Sequence, residues 1–368
     1  MKLALFTIFR VPNFGSVLQT YATQYCLEKQ GHSCIVIDYK EKQTVKQKVK
    51  IFFSLYNIAC LLGIRPQFRK PRQLRKFINK YIHISGEYDG TEKLQKENWS
   101  KIDALVVGSD QVWNYRYQGK DNVYLLPFAN NQTKCYALAS SFAVNSIPDD
   151  YKKEYKTALS KFKAISVREK NGVNIIESLN IGKTAKLVLD PTLWISGEEW
   201  LTLFRPKYCL EQKPYILLYM WTYAFEPRPY IYEVLKYWQQ KLGDCRIIAL
   251  EGSPKKKECP VIEIEDVADS TIPEFLNYFA HAALVITSSF HGTAFAVNYG
   301  RPLISIVPDE SFDDRQSSLL STIGADNSII PIGKNIEDIN PYYEADKVSS
   351  NLNALRADSM DWINQNIV

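Results

Sequence analysis

Paired cysteines are the first thing this chain lacks. Its seven cysteines, Cys26, Cys34, Cys60, Cys135, Cys209, Cys245 and Cys259, are odd in number, widely spread and never form a C-x-x-C. That spacing argues against a disulfide framework and against a zinc site, so no metal is expected and reduced cytosolic thiols fit best. There is no internal repeat, no low-complexity tract and no nucleic-acid-binding module, so nucleic acid is not expected as a partner. No apolar run reaches the roughly 20 residues that carry a helix across a bilayer. The nearest, residues 51–64 (IFFSLYNIACLLGI), stops at 14. The opening Met1-Lys2 with its short apolar run reads as a first core strand rather than a signal peptide, which predicts a cytoplasmic protein.

What the chain does have is 368 residues, 46% of them apolar and 13% aromatic, enough for large cores and about two domains. Its net charge of +5 is unevenly spread. Residues 40–80 carry twelve Lys and Arg against the single acid Glu41, a net +11, which leaves −6 for the remainder. The 14-residue apolar stretch lies between the two basic flanks of that segment. An apolar patch framed by cations suits an interfacial helix on anionic lipid, and equally a core helix with solvated basic faces.

Short apolar runs alternate with amphipathic stretches along the rest of the chain. Strands are expected at residues 3–9, 35–38, 104–107, 134–138, 165–167 and 187–189, with a helix at 17–30 closed by Gly31. A second series puts strands at 215–220, 246–250, 284–287 and 303–307, and helices at 230–241, 272–280 and 293–299. The pattern predicts α/β architecture, two doubly wound Rossmann-like domains facing a cleft. Residues 1–200 form the first domain with the basic insert at 40–80, residues 211–340 the second, and 341–368 a final helix free to cross back.

The chemistry is expected at strand ends, where open α/β sheets bind ligands. His291-Gly292 joins a buried strand to a helix start, where first-turn amides and the helix dipole favour an anion. An imidazole held beside that anion stays protonated and delivers a proton, or the histidine simply caps the helix. Pro12-Asn13-Phe14-Gly15-Ser16 opens the helix containing Gln19: Gly15 lets backbone approach a ligand and Ser16 caps. This loop lacks the second and third glycines of a dinucleotide fingerprint. Gly108-Ser109-Asp110-Gln111-Val112-Trp113-Asn114 combines a carboxylate, two amides and an indole, a set suited to a sugar or to a structural turn around a buried Trp113. Arg168 offers a fork for a carboxylate or phosphate, or an ion pair with Glu169 or Asp190. Asp190-Pro191-Thr192 reads as a turn near the inter-domain hinge.

Taken in order, N-F-G-S-x-L-Q-T-Y-A from Asn13, V-V-G-S-D-Q-V-W-N at 106–114, I-S-V-R-E-K at 165–170, L-D-P-T-L at 189–193 and S-F-H-G-T-A-F at 289–295 resemble the polysaccharide pyruvyl transferase family. Arg315 with Ser317-Ser318-Leu319-Leu320 also looks like the family's R-x-x-S-L-L helix. The resemblance covers most of the chain and leaves out the basic insert.

It implies a fold like the B-type glycosyltransferases, with phosphoenolpyruvate as co-substrate and no cofactor. The acceptor would be a sugar of a surface glycan; a lipid-linked one would give the insert a reason to sit on the cytoplasmic leaflet. His291 would be the general acid. Arg168 would clamp the donor with Ser288, Ser289, the Gly292 amide and Arg315. Asn13, Gly15, Ser16, Gln19, Gln111, Trp113 and Asn114 would hold the acceptor, with Asp110 as its base. Many family members carry an arginine two residues before the histidine; here that position is Ser289, and Arg315 or Arg301 would have to replace it. A nucleotide-sugar glycosyltransferase on the same architecture, with Asp309-Glu310 reading a ribose, and a non-catalytic glycan-binding protein are the rival expectations.

Overall fold

The computed structural model describes residues 1–42, 54–63, 66–117, 121–130, 132–206, 213–243, 245–254, 263–308 and 313–368. Among these, two parallel sheets form, as the alternation predicts. The first contains β1 (Lys2–Phe6), β2 (Ser33–Lys40), β3 (Ile84–Asp89), β4 (Ala104–Val107), β5 (Lys134–Ser140), β6 (Ala164–Val167) and β7 (Ala185–Leu187). Their order is β3-β2-β1-β4-β5-β6-β7. The second contains β8 (Tyr215–Tyr219), β9 (Arg246–Glu251), β10 (Ile264–Asp266), β11 (Leu284–Thr287), β12 (Leu303–Val307) and β13 (Ile329–Pro331), in the order β10-β9-β8-β11-β12-β13. Both sheets therefore grow outward in two directions from a first strand, so each has a switch point, between β1 and β4 and between β8 and β11.

The central strands are apolar throughout because helices cover both faces. Ala104, Leu105, Val106 and Val107 are fully buried, as are Ile216, Leu217, Leu218 and Tyr219. One apolar cluster continues across the domain boundary: Phe14, at the start of the first helix, stacks on Phe275 of the second domain with centroids 4.5 Å apart. The last helix, Ala345–Asn366, lies against the first sheet, where the Ser359 hydroxyl accepts from the Leu189 amide at 3.1 Å and Lys186 pairs with Asp358.

The basic insert folds as two helices among its described residues, Leu55–Leu62 and Pro66–Tyr81. Leu74, Phe77 and Ile78 are buried in the core, whereas Ile58 and Leu62 remain 38% and 68% exposed. The cations at the start of the second helix are not all solvated. Arg69 pairs with Asp269, and the buried Lys70 pairs with Glu251, its ammonium lying 4.9 Å from the Phe14 ring and 4.8 Å from the Trp221 ring. Lys46, Lys48, Lys50, Arg65 and residues 51–53 lie outside the described residues. Among the described residues no helix is long and apolar enough to cross a membrane.

Candidate active site

The strand ends at the two switch points meet at the domain interface, and the contact is close. The helix Phe14–Lys29 begins three residues earlier than its periodicity suggests, because Asn13, in extended conformation, is the cap: its Oδ1 accepts from the Gly15 amide at 2.8 Å and the Ser16 amide at 3.4 Å. Ser16 is thereby released from the capping role the sequence suggested. Its hydroxyl donates to Asp110 Oδ2 at 2.5 Å. Gly15 faces the other domain, and a Cβ placed there would lie 2.2 Å from both Cγ and Nδ1 of His291. The backbone approach that this glycine permits is to the imidazole.

His291 sits inside a helix rather than before it. That helix runs Phe290–Asn298, with Ser289 as its cap accepting from the Gly292 amide at 3.4 Å. The anion-binding role expected of Ser289 and Gly292 is therefore already filled internally. Ser288 is also committed: its hydroxyl accepts from the Trp221 amide at 2.9 Å and donates to the Trp221 carbonyl at 2.8 Å, tying the end of β11 to the end of β8. Gly292 is packed so tightly that a Cβ would fall 2.2 Å from Thr287 Oγ1.

Arg168 follows β6 and is buried. Its Nη1 donates to Asp190 Oδ2 at 2.6 Å and to Ser109 Oγ at 3.1 Å, while Nη2 is 3.6 Å from Asp110 and Nε 3.9 Å from Glu169. The ion pair with Asp190 is thus present, yet it leaves Nε and Nη2 without a hydrogen-bond partner among the described residues. Asp190 is more than a turn residue. It caps the short helix Pro191–Trp194 through Thr192 and holds Arg168; burial opposes its charge, but Arg168, His291 and Thr192 together keep its pKa near 2. The Phe290 ring lies between two guanidiniums, Arg168 at 4.5 Å and Arg315 at 5.9 Å. Arg315 is itself paired with Asp313. Arg301 is no substitute for an arginine at position 289: it lies beyond the C-terminal end of the His291 helix, with Nε on the Tyr299 carbonyl.

The imidazole of His291 is buried, and its Nε2 has no hydrogen-bond partner among the described residues. Burial lowers its pKa to about 4, with Arg168 and Arg315 acting in the same sense and Asp190 and Asp110 opposing. Desolvation outweighs the two carboxylates, so the ring is neutral near pH 7, contrary to the protonated state expected from the sequence. Glu169 moves the other way. Fully buried, with Oε1 accepting from the Phe142 amide at 2.7 Å and Oε2 without a hydrogen-bond partner among the described residues, it is pushed by burial up to about 7. Asp314, across the interface, is raised to about 6, again chiefly by burial.

The expected acceptor residues separate into two groups. Asp110 stands in the site with Ser16, Arg168 and His291 around it. Trp113 does not: it is 0% exposed, packed on Phe142 and Phe162 at 5.1 and 5.9 Å, with its indole N–H on the Tyr124 carbonyl. No sugar can stack there. Asn114 and Gln111 bond to each other at 2.9 Å and lock the turn. Gln19 is buried, its amide nitrogen 3.0 Å from both Thr7 Oγ1 and the Ser16 carbonyl. Sequence reasoning saw Glu169 only as an ion-pair partner for Arg168, and passed over Lys70 and Asp314, whose partners Glu251 and the Asn171 amide lie in the other domain. The rival ribose reader, Asp309-Glu310, lies outside the described residues.

Two parallel-sheet domains meeting at the C-terminal ends of their strands define a B-type glycosyltransferase-like protein. Solved structures agree on the fold. A Listeria monocytogenes protein provisionally described as a UDP-N-acetylglucosamine 2-epimerase is 13% identical, with a TM-score of 0.57 over 100% of this chain and 91% of that one. The S. aureus protein MnaA, solved with UDP, is 12% identical with a TM-score of 0.53 over 97% of each chain. The UDP-GlcNAc 2-epimerase of Neisseria meningitidis, solved with UDP-GlcNAc, is 9% identical with a TM-score of 0.51 over 96% and 99%. A comparison with curated proteins finds no match. Residues 13–310 match the family model for polysaccharide pyruvyl transferase, and the chain belongs to that family.

Proposed function

We propose that this protein moves the pyruvyl group of phosphoenolpyruvate onto two hydroxyls of one sugar, in a polysaccharide or its lipid-linked precursor, forming a ketal and releasing phosphate. The observation that carries this reading is the pair of buried, under-bonded groups, Arg168 Nε and Nη2 and His291 Nε2, at the meeting point of the two sheets. A buried guanidinium with two unfilled donor positions suits a carboxylate or phosphate, and an unpartnered imidazole nitrogen suits proton transfer.

Enol phosphates react at C2 only after their methylene carbon takes a proton. Burial keeps His291 neutral near pH 7, so its proton arrives with the donor: the carboxylate and phosphate add negative charge beside the ring and raise its pKa. Transfer of that proton to the methylene leaves C2 oxocarbenium-like. The first sugar hydroxyl then adds, losing its proton to Asp110, whose carboxylate is already oriented by Ser16. Breaking of the C2–O bond to phosphate regenerates the cationic carbon, and the second hydroxyl closes the ketal, its proton leaving with phosphate. Asp190 keeps Arg168 aimed throughout.

The test is to incubate the protein with phosphoenolpyruvate and a panel of nitrophenyl and lipid-linked glycosides. Inorganic phosphate together with a ketal product is expected. Nucleotide release from a sugar nucleotide instead would assign the protein to the glycosyltransferases, and no turnover with either donor would leave it a binding protein. Arg168→Lys keeps a charge opposite Asp190 but removes the fork, and should weaken apparent phosphoenolpyruvate affinity by about tenfold or more. An unaltered affinity would remove Arg168 from the donor site.

A further inference from the structure

With Trp113 buried, the aromatic surface a sugar requires must lie elsewhere. Tyr117 and Tyr223 supply it at the mouth of the cleft. Tyr117 follows the Asp110 turn in the first domain and is 57% exposed; Tyr223 follows β8 in the second and is 41% exposed. Their loops come from the strand ends that flank the two switch points, and the Tyr117 hydroxyl donates to the Tyr223 carbonyl at 3.2 Å, bridging the domains. The rim is held from beneath. Tyr223 packs edge-on against Trp221 at 5.9 Å, the Trp221 backbone is fixed by Ser288, and Lys70 lies against the indole. The Tyr223 hydroxyl interacts with Arg315, and Asp110 and Asp313 lie close enough to act on it electrostatically. Beside Tyr117, Tyr115 and Tyr151 pack at 5.2 Å and extend the aromatic surface outward.

We infer that Tyr117 and Tyr223 form the acceptor subsite, seating the apolar face of one pyranose ring across the domain interface with its hydroxyls turned toward Asp110. The inference rests on the transferase reading above and assigns its second substrate a place. Their exposed rings match the C–H face of a sugar, while the Tyr117 hydroxyl holds the two loops together. A polysaccharide acceptor, which the family acts on, is the ligand of that chemistry.

Two measurements test this. In steady-state turnover, Tyr117→Ala and Tyr223→Ala should each raise the acceptor KM by about tenfold, with kcat and phosphoenolpyruvate affinity changed by no more than about twofold. Tyr117→Phe, which keeps the ring but loses the hydroxyl's bond to the Tyr223 carbonyl, should raise the acceptor KM less than Tyr117→Ala does. Unchanged acceptor KM in both alanine variants overturns the assignment, as does an equal loss of donor affinity. Saturation-transfer NMR with methyl glycosides of galactose, glucose, mannose and N-acetylmannosamine gives a readout that needs no turnover. Transfer to a glycoside that disappears in Tyr117→Ala upholds the rim even if no pyruvyl transfer is ever detected. Absence of transfer from the wild-type protein to any of them overturns it.

Discussion

At the residue scale the site is governed by protons placed away from their usual owners. His291, lowered to about 4, and Glu169, raised to about 7, have exchanged the roles their side chains ordinarily play at neutral pH. Donor binding that brings a proton to His291 should weaken as pH rises above about 4, by up to about tenfold per unit until the bound-state pKa is passed. Phosphate on the donor titrates too, so the comparison is with His291→Asn, in which the histidine part of the slope should vanish while turnover is lost. An identical pH slope in the two proteins would show that the imidazole takes up no proton. For Glu169 the sign is opposite and concerns stability. Its folded pKa lies above its ordinary 4.5, so the native state holds more protons than the unfolded chain between about 4.5 and 7, and this group's contribution falls as pH rises through that window. Glu169→Gln should flatten the decline, read as Tm against pH. Gly15 makes the third residue-scale case. Any side chain there collides with the histidine ring, so Gly15→Ala should depress kcat far more than a surface Gly→Ala, and Tm should fall by several degrees if the first helix is displaced.

At the scale of elements, one helix depends on another for its termination. The helix Lys170–Ser178 has no side-chain cap of its own at Glu169; the Lys170 amide is accepted by Ser318 at 3.0 Å and the Asn171 amide by Asp314 at 3.0 Å, both from the helix region of the other domain. Capping in this manner couples helix stability to domain closure. Ser318→Ala should cost about 1 kcal/mol and raise hydrogen exchange at the Lys170 and Asn171 amides, with exchange elsewhere in the first sheet unchanged. The sequence showed none of this, since a cap is legible only when it lies next to the helix it serves. It did show β4, β8, β11 and β12, whose apolar runs are complete because both faces are buried. The edge strand β7 was expected two residues late, at 187–189, and the edge strands β3 and β10 were missed for the converse reason: Ile84–Asp89 is ISGEYD, largely half-buried or exposed, and Ile264–Asp266 is three residues long. Likewise the motif carrying Trp113 revealed an aromatic beside a carboxylate but not which way it turned, and the exposed ring proved to be four residues further on, at Tyr117. Asn13 was legible as a cap, and was passed over because Ser16, three residues on, was given that role.

At the scale of the whole molecule, the charge asymmetry has two separate consequences. Part of the +11 segment lies between the domains: Lys70 turns inward to Glu251 and the exposed Arg69 crosses to Asp269, so the insert braces the two domains against each other. Lys70 is buried, and burial lowers its pKa despite Glu251, which makes it a costly residue to retain for solubility alone. Lys70→Met, which preserves length and apolar contact, should loosen the brace and widen the distribution of inter-domain distances measured by double electron–electron resonance. The outer part of the insert is another matter. Ile58 and Leu62 are exposed on the helix Leu55–Leu62, and Arg10, Val11, Cys60 and Arg75 line a cavity of about 200 Å³ beside it. An exposed apolar pair next to a basic surface favours anionic lipid, each nearby cation adding roughly 1 kcal/mol at moderate ionic strength. The protein is therefore expected to sediment with phosphatidylglycerol-containing vesicles at physiological salt, and the double substitution Ile58→Asp with Leu62→Asp should release it without altering turnover of a soluble glycoside. Both side chains are exposed, so the fold survives the change, and equal sedimentation of the two proteins would mean that the insert serves only as the brace.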